Sequence, residues 1–103
     1  VLEHIDAHFS EPLTLGALAD VAHFSASHLC TAFRRELGLP PLEYVRRIRL
    51  ARAKDLLTEG RLGVAEVAGA VGFPDASHFS RVFRRCEGVT PAAYRAKRRP
   101  LVP

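Results

Sequence analysis

Two tripeptides, Ala26-Ser27-His28 and Ala76-Ser77-His78, are each followed, five residues after the histidine, by the start of a Phe-Arg-Arg at 33–35 and 83–85. On a helix turning about 100° per residue with Leu29 and Phe33 facing inward, Ser27, His28, Thr31, Arg34 and Arg35 fall on the outward side. The same count from Phe79 and Phe83 turns out Ser77, His78, Arg81, Arg84 and Arg85. Short hydrogen-bonding side chains near the N-terminus, with guanidinium groups further along, suit a helix that reads base edges and clamps the flanking phosphates. Arg81 lies at the middle of the second outward face, one turn past the start of the helix. A guanidinium there can bond O6 and N7 of a guanine, which its counterpart Thr31 is too short to do. Arg81 is therefore expected to be the principal base reader, and Arg34, Arg35, Arg84 and Arg85, nearer the helix ends, to hold phosphates. The competing reading is an amphipathic helix with a plain solvated face, which gives no reason for both stretches to carry the same residues.

Other chemistries have less behind them. His4 and His8 stand at i, i+4, yet no third ligand follows at metal-binding spacing, so a metal centre is not expected. His28 and His78 have no second titratable partner within their own helices, and neither a glycine-rich phosphate loop nor a nucleophile motif occurs, so no catalytic residue, no cofactor and no enzyme activity is expected. Cys30 and Cys86 lack C-x-x-C spacing, which suits free thiols in a reducing cytoplasm. Cys30 is read as a half-buried thiol in the first reading helix, with a redox sensor as the rarer alternative; Cys86 is read as packing on the apolar side of the second.

Charge is unevenly placed. Residues 1–33 hold Glu3, Asp6, Glu11 and Asp20 and no Lys or Arg, whereas residues 34–103 hold all 15 Lys and Arg against seven acids. That asymmetry points to a polyanionic partner. No apolar run approaches the length of a membrane span. The chain opens on Val1 with no charged segment ahead of an apolar stretch, which predicts no secretory signal and a start inside a longer protein.

The elements that must position these residues come in two copies. Residues 15–47 lie on residues 64–97 with one insertion near Pro74, pairing Ala19 with Ala68, Phe24 with Phe73, Gly38 with Gly88, Pro41 with Pro91 and Tyr44 with Tyr94. Each copy reads as helix, tight turn, helix. In the first, Leu15, Leu18, Ala19 and Ala22 follow Thr14 as N-cap, and Ser25 caps a second helix over 26–37 with Ala26, Leu29, Phe33 and Leu37 on one face and Gly38 as its stop. In the second, Val64, Val67, Ala68 and Val71 precede a turn at Gly72-Phe73-Pro74, and Asp75 caps a helix over 76–87 that Gly88 ends. Gly72 sits where the turn wants a positive φ, and His23 takes that place in the first copy. Phe24 and Phe73 are expected to anchor equivalent turns. A connector helix over 41–59 begins on Pro41 with Val45, Ile48, Ala53, Leu56 and Leu57 for burial, and spans about 28 Å, comparable to the roughly 34 Å of a DNA turn. A leading helix over 2–9 and a last helix from Thr90-Pro91 to Lys97 complete an all-α chain of about seven helices. The divisions are residues 1–40 for the leading helix and first helix-turn-helix unit, 41–60 for the connector, and 61–103 for the second unit and C-terminal helix.

The run from Gly72 to Arg95, GFPDASHFSRVFRRCEGVTPAAYR, resembles the signature of the AraC/XylS transcription regulators. Pro12-Leu13-Thr14-Leu15 and the connector from Arg49 to Leu57, RLARAKDLL, are similar to the same family, so the resemblance covers nearly the whole chain. It implies two helix-turn-helix units on successive major grooves of double-stranded DNA. By position it assigns base contacts to Ser27, Cys30 and Thr31 in the first unit and to Ala76, Ser77, His78 and Arg81 in the second. The first unit departs from the stronger pattern at Cys30 and Thr31, where long polar side chains often stand, so phosphate anchoring is its safer role. Because the two reading faces differ, one molecule is expected to recognise a non-palindromic site.

These readings predict a cytoplasmic transcription activator domain, monomeric as this chain and dimeric through a further domain in a longer protein, with RNA polymerase as a second partner and no membrane. The alternative is a protein-interaction module that docks RNA polymerase or a partner domain, with DNA contact secondary.

Overall fold

The computed structural model describes residues 1–98. Residues 99–103, which close the expected third division, lie outside them. Seven helices, with no strand among the described residues, follow one another: α1 (Leu2–His8), α2 (Leu15–Ala22), α3 (Ala26–Leu37), α4 (Pro41–Glu59), α5 (Val64–Ala70), α6 (Ala76–Glu87) and α7 (Pro91–Arg98). The chain divides into two compact units, one running from Val1 to Ile48 and the other beginning at Arg49, so α4 contributes its first half to the first unit and its second half to the other.

In the first unit α2 packs on α3. Ile5, Leu18, Ala19, Leu29, Phe33 and Val45 form the core, with Tyr44 and Ile48 packed against it. The Phe33 and Tyr44 rings meet edge to face at 5.8 Å. Glu43 pairs with Arg46 and, at 3.6 Å, with Arg47. The Arg46 hydrogen bond, aided by Arg47, holds the Glu43 carboxyl below the usual carboxylate range against the opposing effect of burial.

In the second unit α5 packs on α6, and α6 on α7. Its interior is aromatic: Phe73 lies 5.2 Å from Phe79, Phe79 5.6 Å from Phe83, and Phe83 5.5 Å from Tyr94. Leu50, Ala53, Leu57, Val67, Ala68, Val71 and Val82 are buried with the three phenylalanines. Lys54 Nζ donates to Glu87 Oε1 at 3.3 Å, tying α4 to the end of α6. Arg95 reaches back from α7, its Nε donating to the Leu57 carbonyl at 3.1 Å and its guanidinium also to the Leu62 carbonyl.

Both turns have the backbone geometry that the repeat requires. The N–H of Phe24 donates to the Ala19 carbonyl at 2.9 Å and that of Phe73 to the Ala68 carbonyl at 3.0 Å. Between these bonded residues His23 has φ 59° and Gly72 φ 94°, both left-handed, so the chain reverses and a second helix starts within a few residues. Ala19 and Ala68 are buried beneath the turns, where a larger side chain would hold the helices apart.

The cover over the reading helices is shorter than the sequence pattern predicts. Phe24 is not an anchor equivalent to Phe73: it is 40% exposed against 8% for Phe73. Phe73 meets the ring of Phe79, whereas the first unit has Leu29 at that place, and Phe24 instead stacks on the imidazole of His28 at 4.1 Å. Ala26 and Leu37, placed by periodicity on the buried face, are exposed, because only Leu29 and Phe33, midway along α3, lie under the rest of the unit. Cys86 is likewise exposed rather than packed. It continues the apolar stripe of α6 by one turn, past the point where Val82 and Phe83 are covered.

Candidate nucleic-acid interface

The start of each reading helix is fixed by a side chain. Ser25 Oγ accepts from the His28 N–H at 3.1 Å, and Asp75 Oδ1 accepts from the His78 N–H at 2.7 Å. These caps satisfy one of the N–H groups that a helix leaves without an internal partner, and so define where its first turn begins. At the other end Gly38 (φ 79°) and Gly88 (φ 81°) take the left-handed conformation and return their N–H groups to the Arg34 and Arg84 carbonyls. Both helices are thus the same twelve residues long and present their outward residues in the same register.

All of the outward residues predicted for α3, Ser27, His28, Thr31, Arg34 and Arg35, are exposed. On α6 Ser77, Arg81, Arg84 and Arg85 are exposed, while Ala76 and His78 are half-buried, as is Cys30 on α3. Each histidine lies against the phenylalanine of its own turn, His28 on Phe24 and His78 edge to face with Phe73 at 5.6 Å. Among the described residues Arg34, Arg35, Arg81, Arg84 and Arg85 enter no ion pair. Neither acid near Arg81 along the helix pairs with it: Glu87 pairs with Lys54, and Asp75 caps the helix through Oδ1. Each unit thus carries its own exposed guanidinium groups, Arg34 and Arg35 at the end of α3 and Arg81, Arg84 and Arg85 along α6, with donors free for an anionic ligand. Arg49, outside these faces, has its pKa lowered by burial, though a guanidinium still keeps its charge at neutral pH.

The two faces differ in what their central residues can offer. Thr31 Oγ1 donates to the Ser27 carbonyl at 3.1 Å, so its hydroxyl hydrogen is committed to the helix backbone. At the equivalent place on α6, Arg81 borders a shallow depression of about 540 Å³ together with Asp75, Ala76, Ser77 and Ser80. Ser80 is absent from the residues selected by sequence, although its repeat equivalent Cys30 is among them. The 77, 80, 81 spacing of one helix face was the signal that would have found it.

Paired helix-turn-helix units, each with a capped, arginine-bearing second helix, define a nucleic-acid-binding class of fold. The helix-turn-helix domain family matches residues 18–97. The chain is 35% identical over 95 residues to the bifunctional transcriptional activator/DNA repair enzyme AdaA of Bacillus subtilis, covering 92% of this chain and 45% of AdaA. A transcriptional regulator of Chromobacterium violaceum with an AraC-type DNA-binding domain superposes with a TM-score of 0.87 at 30% identity, over 98% of this chain and 90% of that one. The DNA-binding domain of AdpA, a global transcriptional factor solved with a target DNA, gives 0.85 at 34% identity, over 93% and 90%. The chain belongs to the AraC-type family of helix-turn-helix DNA-binding domains. It spans under half the length of the curated relatives AdaA and two others that it matches. Among the described residues no helix is long and apolar enough to cross a membrane.

Proposed function

We propose that this domain reads one non-palindromic site on double-stranded DNA, with α3 and α6 entering successive major grooves, as the DNA-binding part of a cytoplasmic transcription regulator. Ser27, Cys30 and Thr31 meet bases from α3, and Ala76, Ser77, His78 and Arg81 from α6. Arg34, Arg35, Arg84 and Arg85 hold phosphates. The observation that carries this reading is the repetition, on two helices each capped by a side chain and each stopped by a glycine, of a solvent-facing set of arginines without acidic partners. An amphipathic helix with no ligand has no use for four such charges in register, Arg34 with Arg84 and Arg35 with Arg85.

The domain contributes binding rather than chemistry, and its names among relatives favour regulation, activation included; the repair activity in the name of AdaA belongs to that longer protein. Residues 1–40 and 61–103 act as the two reading units and 41–60 as the connector. Contact with RNA polymerase and dimerisation through a further domain are secondary proposals, this chain itself being monomeric. Selection of bound duplexes from a random pool tests the reading. It predicts one asymmetric consensus with the more stringent half belonging to α6. Binding that enriches no sequence, or that enriches only a palindrome, overturns it.

A further inference from the structure

The two reading helices agree at Ser27 and Ser77, His28 and His78, Arg34 and Arg84, and Arg35 and Arg85; from the cap to the middle of the helix they differ in chemistry at three places, Ser25 against Asp75, Cys30 against Ser80, and Thr31 against Arg81. Two of these changes bring an acid and a base to the edge of the same depression on the second unit. They do not pair with each other: Asp75 uses Oδ1 to cap α6, and Arg81 has no ion pair among the described residues. Asp75, an exposed residue, thus keeps its second carboxylate oxygen as an acceptor on the rim of the depression that Arg81 also borders.

A carboxylate brought to DNA is repelled by the phosphates unless it accepts a hydrogen from a base. In the major groove only the amino groups of cytosine and adenine supply one, and adenine sets its N7 acceptor beside the amino group, where it opposes a carboxylate. We infer that Asp75 is a specificity-determining residue that accepts from cytosine N4, in the same base pair as the guanine read by Arg81 or in the adjacent one. This rests on the proposed entry of α6 into the major groove. Its consequence is that the cap of α6 also selects sequence, so the second unit prefers G and C at the tip of its helix where the first unit, with Ser25 and Thr31, tolerates substitution.

The test compares the wild-type domain with Asp75→Asn, Asp75→Ser and Arg81→Ala on the selected site and on every single-base variant of it, by competition binding. Asn and Ser both cap helices well, and circular dichroism with thermal melting verifies that each variant is folded. Wild type is expected to lose roughly tenfold in affinity when that cytosine is replaced. Asp75→Asn, which keeps an acceptor for the cap and turns an amide donor to the groove, should move the preference at that pair toward thymine or guanine. Asp75→Ser should flatten it. If Arg81→Ala alters the profile and both Asp75 variants leave it unchanged, or merely raise affinity for every site alike, Asp75 reads nothing. Should Arg81→Ala also leave the profile unchanged, α6 is not in the groove, and the inference fails together with the reading beneath it.

Discussion

Base reading depends on which side chains are long enough and unoccupied. Arg81 is both, whereas Thr31 is short and has its hydroxyl hydrogen bonded to Ser27. Arg81→Ala is expected to cost about 1–3 kcal/mol at the preferred site and to relax discrimination at one base pair, with much less effect on random DNA. Thr31→Ala should do markedly less. Equilibrium binding of both variants to a single-base substitution panel checks this, and an unchanged profile for Arg81→Ala refutes the assignment. The arginine pairs lie in the last turn of each helix, beyond the tip proposed to enter the groove, and are proposed to hold phosphates instead. Replacing Arg34 or Arg84 by Ala should weaken specific and random binding alike and make the salt dependence shallower by about one unit. A changed sequence preference with an unchanged salt slope would reassign that arginine to a base. These outward residues were legible from spacing alone, since 3.6-residue periodicity fixes an angle. The pairing of Glu87 was not, because its partner Lys54 is 33 residues away in sequence.

At the scale of the element, α5 and the turn that follows it make predictions of opposite sign for two nearby glycines. Gly72 holds φ 94°, so Gly72→Ala should destabilise the domain by about 1–3 kcal/mol, the cost of forcing a side chain into a left-handed turn. Gly69 lies within α5 with open space where a Cβ would stand. Gly69→Ala should instead stabilise by about 0.5–1 kcal/mol by removing helix-interior glycine entropy. Chemical denaturation of both variants measures the pair, and equal effects would contradict the turn geometry. Phe83, fully buried between Phe79 and Tyr94, should lose about 3–5 kcal/mol on truncation to Ala. Against a typical total of about 5–15 kcal/mol this leaves little margin at 37 °C. A loss below about 1 kcal/mol would remove Phe83 from the core and with it the orientation of α6. Helix boundaries were readable because Thr14, Ser25, Asp75 and Thr90 each bond the backbone three residues on, which is a local interaction. Burial at the helix ends was not readable, as Phe24, Leu37 and Cys86 show: periodicity gives the direction of a side chain but not how far its cover extends.

For the molecule as a whole, charge sets how binding responds to salt. The bases all lie beyond residue 33, and four of them are assigned to phosphates. With about 0.9 counterions released per phosphate, log K should fall against log salt with a slope of about −3 to −4. Titrations of random duplex across a range of salt concentrations measure it, and a slope near zero would favour a protein-docking role instead. That the chain is all helical, repeated and basic on two matching faces was determined by the sequence itself, because periodicity, caps, glycine stops and charge are properties of residues close together in the chain. The tertiary structure decided which of those residues are free to act. It tied Glu87 to Lys54 and left Arg81 open beside Asp75, and it covered Phe73 while leaving Phe24 in solvent. Such outcomes depend on which distant groups meet and how much surface each one covers, and a local pattern carries no record of either.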